Sequence, residues 1–596
     1  MSEDPADEYR ARLSNRQALE LNLAKKNQLL SQARLVTFVV LGGLLAILWW
    51  RSFAAALWLT FPALSFVVLM HWHARVIRAH RKVQRAITFY RRGIDRIEDR
   101  WSGTGESGDR FREEGHLYAN DLDLFGHGSL FELLSIARTR VGEAQLAEWL
   151  KAPASIDEVR ARQAAVTELT PALDLREAIA LTGTDATDIG IDTDVLVGWA
   201  ERAPVLGARW LRHVAIGLSA CAIGSAVYLA ITGSYVYLVA ILLLEAAFSI
   251  PRRSRVQQAL HAADAPARDL DVLAQVLNRL EREAFTATRL AALTHQLGTT
   301  RTPASVAIRR LHRLVELHDW QHNQFFAPLA AALLWGTHLA WAIEKWQRVH
   351  GLNVRTWLRN VGEFEALSSL SAYRYEHPED VWPEIVADGA GLDGIGLGHP
   401  LIPETRMVRN DVRLWGDTRL LVISGSNMSG KSTLLRTVGV NAVLALAGAP
   451  VRATALRITP LAIGATLRIQ DSLQEGRSRF FAEISRIRDL SDTAKGSVPL
   501  LFLLDELFHG TNSHDRLAGA SGTLRSLLNH GAIGIITTHD LALTTVVDDL
   551  FPRALNVHFE DQFDGAEIQF NYSMKPGPVT RSNALALMRA VGLKVD

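Results

Sequence analysis

The rhythm of apolar and polar positions changes several times along this chain. Residues 9 to 34 carry charge on every side and contain neither Gly nor Pro, which predicts a polar helix. Two uncharged apolar runs follow, "LVTFVVLGGLLAILWW" (35–50) and "FAAALWLTFPALSFVVLM" (53–70), parted only by Arg51 and Ser52. A second pair stands at "VAIGLSACAIGSAVYLAIT" (214–232) and "YVYLVAILLLEAAFSI" (235–250), parted by Gly233 and Ser234. The 18 residues of the second run suffice for a spanning helix with polar flanks, and the 16 of the first are marginal. Two such hairpins predict a membrane-embedded chain, although Glu245 interrupts the fourth run. A third apolar stretch, 325–346, contains Pro328, Gly336 and His338 and reads as one buried helix outside the membrane. Residues 129–200 and 256–323 repeat their apolar positions at helical spacing. From about residue 385 the texture turns to short β-type runs alternating with helices, the pattern of an α/β layer with a mostly parallel sheet.

Charge adds an orientation. Arg10, Arg12, Arg16, Lys25, Lys26 and Arg34 precede the first hairpin, and Arg75, Arg78, Arg81, Lys82 and Arg85 follow it. Arg202, Arg209 and Arg212 precede the second, and Arg252, Arg253 and Arg255 follow. Basic flanks at both ends of each hairpin predict a multi-pass inner-membrane protein with its hydrophilic parts in the cytoplasm. Trp49, Trp50, Trp58 and Trp72 sit where interfacial belts are expected. The start, "MSEDPADEYRARLSNRQ", is not a cleavable signal. A net charge of +1 gives no global attraction for nucleic acid, and the single cysteine, Cys221, excludes internal disulfides. His71, His73 and His80 offer a metal-like cluster beside a membrane end, for which interfacial histidine on a basic helix is the plainer account.

The chemistry gathers in the last third. Gly425, Ser426, Asn427, Met428, Ser429, Gly430, Lys431 and Ser432, followed by Thr433, fit the pattern G-x-x-x-x-G-K-[ST] between an apolar run and a helical one. Such a loop cradles ATP phosphates with backbone N–H groups. Lys431 reaches the β and γ phosphates, and the Ser432 hydroxyl ligates Mg²⁺. "LLFLLDEL" (500–507) ends a strand on two carboxylates: Asp505 suits the magnesium shell, and Glu506 suits orientation or deprotonation of the attacking water. An acidic pair at a helix start, favouring the dipole only, is the bland alternative. "IGIITTHD" (533–540) ends a further strand at His539, placed to sense a γ-phosphate.

"GSNMSGKST" resembles the G-P-N-M-x-G-K-S-T of the MutS mismatch-repair ATPases, with Ser426 in place of proline. "DSLQEGRSRFFAEISRI" (471–487) is similar to their D-x-L-x-x-G-x-S-T-F-x-x-E, with Arg479 in place of threonine. "LLDELFHGTNSHD" (503–515) resembles D-E-x-x-x-G-T-S-x-x-D, and His539 falls on their T-H. Upstream, 398–414 and 128–169 resemble the family's strand before the phosphate loop and the start of its helical core. No L-S-G-G-Q signature of the transporter type occurs. The resemblance implies a homodimer in which Ser478 and the helix behind it face nucleotide held by the other subunit. Arg479 would add a cation there.

Together these readings predict an α plus α/β protein: transmembrane hairpins and a MutS-like helical core, then a C-terminal P-loop (ABC-type) ATPase domain. The expected division is a polar helix (1–34), hairpin one (35–70), a basic juxtamembrane helix (71–120), a core (121–384) interrupted by hairpin two (214–250), and the ATPase domain (385–596). Only 34 residues precede the first hairpin and fewer than 60 separate it from the core, leaving no room for the family's mismatch-reading domain. Phe111-Arg112-Glu113 matches its Phe-x-Glu wedge, as any three residues can by chance. Expected partners are membrane lipid and a second copy. The output divides between DNA binding in a repair-like role without mismatch preference, an ATP-driven machine acting on an unknown membrane client, and a slow regulatory ATPase.

Overall fold

A computed structural model describes residues 4–48, 57–182, 193–207, 210–264, 270–298, 302–323, 326–426, 429–467, 479–508, 512–564 and 567–579. It forms two compact units, the first made of residues 1–105, 172–181 and 375–378, the second of the remainder.

In the first unit, helices Pro5–Leu48 and Leu57–Ile97 pack antiparallel. The polar helix expected at 9–34 runs without a break into the first apolar run. Pairing along the hairpin follows the sequence: Phe38 lies over Phe66 at 6.1 Å, His73 meets Asn27 at 2.8 Å, His80 meets Glu20 at 3.1 Å, and Tyr9 packs edge-on to Tyr90 at 5.7 Å. His73 and His80 thus have polar partners on the facing helix, and no metal-holding cluster occurs among the described residues. At the polar end, Arg96 pairs with Glu376 at 2.5 Å and the Tyr9 hydroxyl donates to the same carboxylate at 3.1 Å. A buried carboxylate needs both partners, because an unpaired charge there costs several kcal/mol, roughly 3–5 when one partner is removed.

The second unit holds the helical core. Helices Arg140–Lys151 and Ile156–Leu169 start at Thr139 and Ser155, whose hydroxyls accept the N–H groups of Gly142 and Glu158. Helices Trp210–Thr232 and Val236–Ser249 form a hairpin whose turn uses Gly233 at φ 75°, a left-handed conformation suited to glycine. Tyr228 and Tyr237 stack edge-to-face across it at 5.2 Å. Leu243 and Leu244 are 67% and 56% exposed, whereas Glu245 beside them is only 3% exposed. The residue that argued against a lipid-facing helix is therefore turned inward. Among the described residues, Pro5–Leu45 and Trp210–Thr232 are long and apolar enough to cross a membrane.

The stretch 325–346 is not one helix. Ala327–Ala332 ends at Leu333, Leu334 takes φ 48°, and a new helix, Trp335–Glu376, runs for 42 residues. Pro328 fits only in a first turn, where its missing N–H costs nothing.

Ten strands follow: β1 (Glu384–Ile385), β2 (Leu392–Leu397), β3 (Asn410–Leu414), β4 (Leu420–Ser424), β5 (Ala455–Ile458), β6 (Ala462–Thr466), β7 (Leu500–Asp505), β8 (Ile533–Thr538), β9 (Ala554–Asp564) and β10 (Glu567–Pro576). One sheet has the order β1-β5-β2-β3 and the other β10-β9-β4-β8-β7-β6. In the larger sheet β9, β4, β8, β7 and β6 are mutually parallel, and β10 pairs antiparallel with β9. Residues 500–504 and 533–538 are buried throughout, as expected of strands covered on both faces. The fold is thus mixed α and α/β, with parallel strands carrying the candidate site at their C-terminal ends.

Candidate functional site

Parallel strands β4, β7 and β8 end side by side, with Ser424 in register with Thr538 and Asp505 with Thr537. Ligands of open α/β sheets bind at this edge. Three groups expected to act together therefore arrive from separate parts of the chain.

Gly425 follows β4, and helix Lys431–Ala447 begins directly after Gly430. Gly430 has φ 98°, and a Cβ there would stand 3.0 Å from the Tyr572 ring, so glycine is required on both counts. Lys431 is 5% exposed; its ammonium donates to the carbonyls of Gly425 at 2.9 Å and Ser426 at 2.6 Å. The Ser429 hydroxyl also donates to the Ser426 carbonyl, at 2.8 Å. The loop is thus gathered around its own cation at a helix N-terminus, a place that favours phosphate.

The Ser432 hydroxyl donates to Asp505 Oδ2 at 2.6 Å, and the Thr537 hydroxyl donates to Asp505 Oδ1. Asp505, at the end of β7, is thereby fixed from the neighbouring strand β8 and from one helix. Glu506 follows in a left-handed conformation, φ 49°, and its N–H donates to the Thr537 carbonyl at 3.3 Å. Its Oε1 lies 3.2 Å from His539 Nδ1. Phe508 is left-handed too, φ 58°, and its N–H is accepted by the carboxylate of Glu483, itself 3% exposed on helix Arg479–Ala494.

These groups open on a cleft of about 930 Å³, bordered by His399, Lys431, Ser432, Asp505, Glu506 and Tyr572. Burial, with Arg436 nearby, pushes the His399 imidazole down to about 4. Its Nδ1 accepts the Leu401 N–H at 3.2 Å, which leaves the proton of the neutral ring on Nε2. The donor set suits a nucleotide with Mg²⁺: a hydroxyl and a carboxylate for the metal, and a cation at a helix N-terminus for phosphate.

Of the residues singled out from the sequence, Gly425, Ser426, Ser429, Gly430, Lys431, Ser432, Thr433, Asp505, Glu506 and His539 are placed along this edge. Asn427, Met428 and Ser478, and the side chain of Arg479, lie outside the described residues. Phe111 packs against Phe125 and Phe131 at 5.9 and 5.5 Å, and Glu113 pairs with Lys151, so the wedge-like triplet is engaged inside its own unit. Asn410 and Tyr572 escaped the sequence reading. The Asn410 amide donates to the Tyr572 carbonyl at 3.0 Å and accepts the Met574 N–H at 2.7 Å, holding β10 beside the cleft. Asn410 lies within the 398–414 resemblance but was not singled out there; nothing local marks Tyr572.

Residues 421–595 match the MutS domain V family model. That stretch is therefore similar to domain V of the MutS proteins. The chain is 34% identical over 242 residues to the DNA mismatch repair protein MutS 2 of Halobacterium salinarum, covering 39% of this chain and 27% of that one. It is 28% identical over 325 residues to the DNA mismatch repair protein MSH3 of Phaeosphaeria nodorum, covering 53% of this chain and 28% of that one. The similarity to these MutS relatives thus spans little more than a quarter of their length.

Proposed function

We propose that this protein is a membrane-anchored, Mg²⁺-dependent ATPase of the MutS family. The observation that carries the reading is the convergence of Lys431, Ser432, Asp505 and Glu506 at one sheet edge, with Ser432 and Asp505 at 2.6 Å. Lys431 and the N–H groups of the loop bind phosphate oxygens. Ser432 and Asp505 hold the metal, which when bound neutralises charge on the phosphates. Glu506 orients water and accepts its proton, and His539 restrains the Glu506 carboxylate from the neighbouring strand.

The hairpins anchor the protein in a cytoplasmic membrane, with the ATPase half inside. The outward apolar faces of Pro5–Leu45 and Trp210–Thr232 support this, as do the basic flanks. Two copies closing on nucleotide, with Ser478 of one facing nucleotide of the other, would move the helical arms. The output we favour is mechanical work on a membrane partner. DNA binding is the second reading, supported by the names of the relatives. Phosphate release by detergent-solubilised protein, with Mg²⁺ and with chelator, tests the enzymatic reading. Activity lost with chelator and in Lys431→Ala is expected; activity indifferent to both contradicts it.

A further inference from the structure

Asp121 lies in the segment leading into the helical core and is 5% exposed. The segment is pinned to that core: the Tyr118 hydroxyl donates to the Leu150 carbonyl at 3.1 Å, and the His116 ring meets the Lys151 carbonyl at 3.1 Å. From there Asp121 reaches three elements of the α/β part, one of which, helix Lys431–Ala447, borders the cleft. Its Oδ1 accepts the N–H of Leu467, just past β6, at 2.8 Å. Its Oδ2 accepts from the Arg486 guanidinium at 3.2 Å, and its backbone carbonyl accepts Arg436 Nε at 3.1 Å.

The positions of those arginines give the contacts meaning. Arg436 follows Ser432 by one turn on the phosphate-binding helix. Arg486 follows Glu483 by one turn on helix Arg479–Ala494. Glu483 in turn accepts the Phe508 N–H, at the end of a turn in which both Glu506 and Phe508 are left-handed. Residues other than glycine rarely hold that conformation, and it persists only where neighbours enforce it. The setting of Glu506 is therefore tied to Glu483, and that helix is held through Arg486, which donates to the carbonyls of Gly115, His116 and Ala465 and meets one charged partner among the described residues, Asp121.

We propose that Asp121 is a positioning residue for hydrolysis. Through Arg486 it sets the Glu506 turn, through Arg436 it sets the helix carrying Lys431 and Ser432, and so it joins the helical core to the hydrolytic geometry. The inference rests on the ATPase reading above.

Asp121→Asn keeps an oxygen for the Leu467 N–H and removes the charge that faces Arg486. Its kcat for ATP should fall roughly 10- to 100-fold, as displacement of a catalytic group does. The KM for ATP and the Kd for a fluorescent ADP analogue should stay within about twofold, the binding surface being intact. In a Glu506→Gln background Asp121→Asn should add no further loss, since the group it positions is already gone. Arg486→Gln should reproduce the split and decides the matter if Asp121→Asn does not fold. Wild-type kcat in these variants, or a parallel fall in kcat, nucleotide affinity and thermal midpoint, would overturn the proposal. A wild-type protein that hydrolyses no ATP would instead overturn the ATPase reading itself.

Discussion

The Ser432 hydroxyl donates to the Asp505 carboxylate at 2.6 Å, joining the first turn of helix Lys431–Ala447 to the end of β7. On the proposed ATPase reading, these two oxygens would hold the Mg²⁺. Asp505→Asn keeps an acceptor for the Ser432 hydroxyl and removes the charge that a hard cation needs. The Mg²⁺ concentration for half-maximal ATPase activity should rise roughly 10- to 100-fold, the range for residues that organise a metal site. A magnesium titration of phosphate release reads this directly, and an unchanged midpoint would place the metal elsewhere.

His399 should make folding sensitive to acid. Its folded pKa, about 4, lies below the ordinary value of 6.5, so the unfolded chain binds a proton that the folded one refuses. The stability it permits is complete above pH 6.5 and is lost as pH falls towards 4, in total on the order of 3 kcal/mol. His399→Gln, neutral at every pH, should flatten that part of the profile. The check is the thermal midpoint of both proteins between pH 4.5 and 7.5. A wild-type slope no steeper than the variant's would contradict the assignment.

Topology is testable with the protein's single cysteine removed. In a Cys221→Ala background, cysteines introduced at Ser52 and Gly233 should react with an impermeant maleimide from the outer face of intact cells. Labelling at Gly233 only after lysis, or release of the protein by carbonate washing, would sink the four-helix arrangement.

DNA binding separates the two proposed outputs. Any affinity should come from local basic patches, so binding should weaken steeply between 50 and 200 mM salt, roughly as counterion release demands. Matched and mismatched duplexes should bind alike. A mismatch preference of about tenfold or more, near 1.4 kcal/mol, would revive a repair role.

Much of this was legible in the sequence, for physical reasons. Strands β4, β7 and β8 are buried on both faces and so read as unbroken apolar runs ending in chemistry. The G-x-x-x-x-G-K-[ST] spacing stands out because a phosphate-binding loop needs glycine, lysine and hydroxyl at fixed places. What stayed hidden depends on distant pairs. Asn410 meets Tyr572, 162 residues away, and Asp121 meets Arg486, 365 away. No periodicity records such a contact. The break at Leu334 was missed for a related reason: a left-handed leucine leaves no composition signal beside an apolar run.

Glu506→Gln is the substitution that tests the central claim most directly. It keeps the volume of the side chain and its reach to His539 Nδ1, 3.2 Å away in the native protein, and abolishes its basicity. Equilibrium binding of a fluorescent ATP analogue should remain within about threefold of wild type, while single-turnover phosphate release slows by roughly 10²-fold or more, the contribution of a positioned general base. Binding kept with release at the wild-type rate would contradict the account, because water would then be handled by another residue.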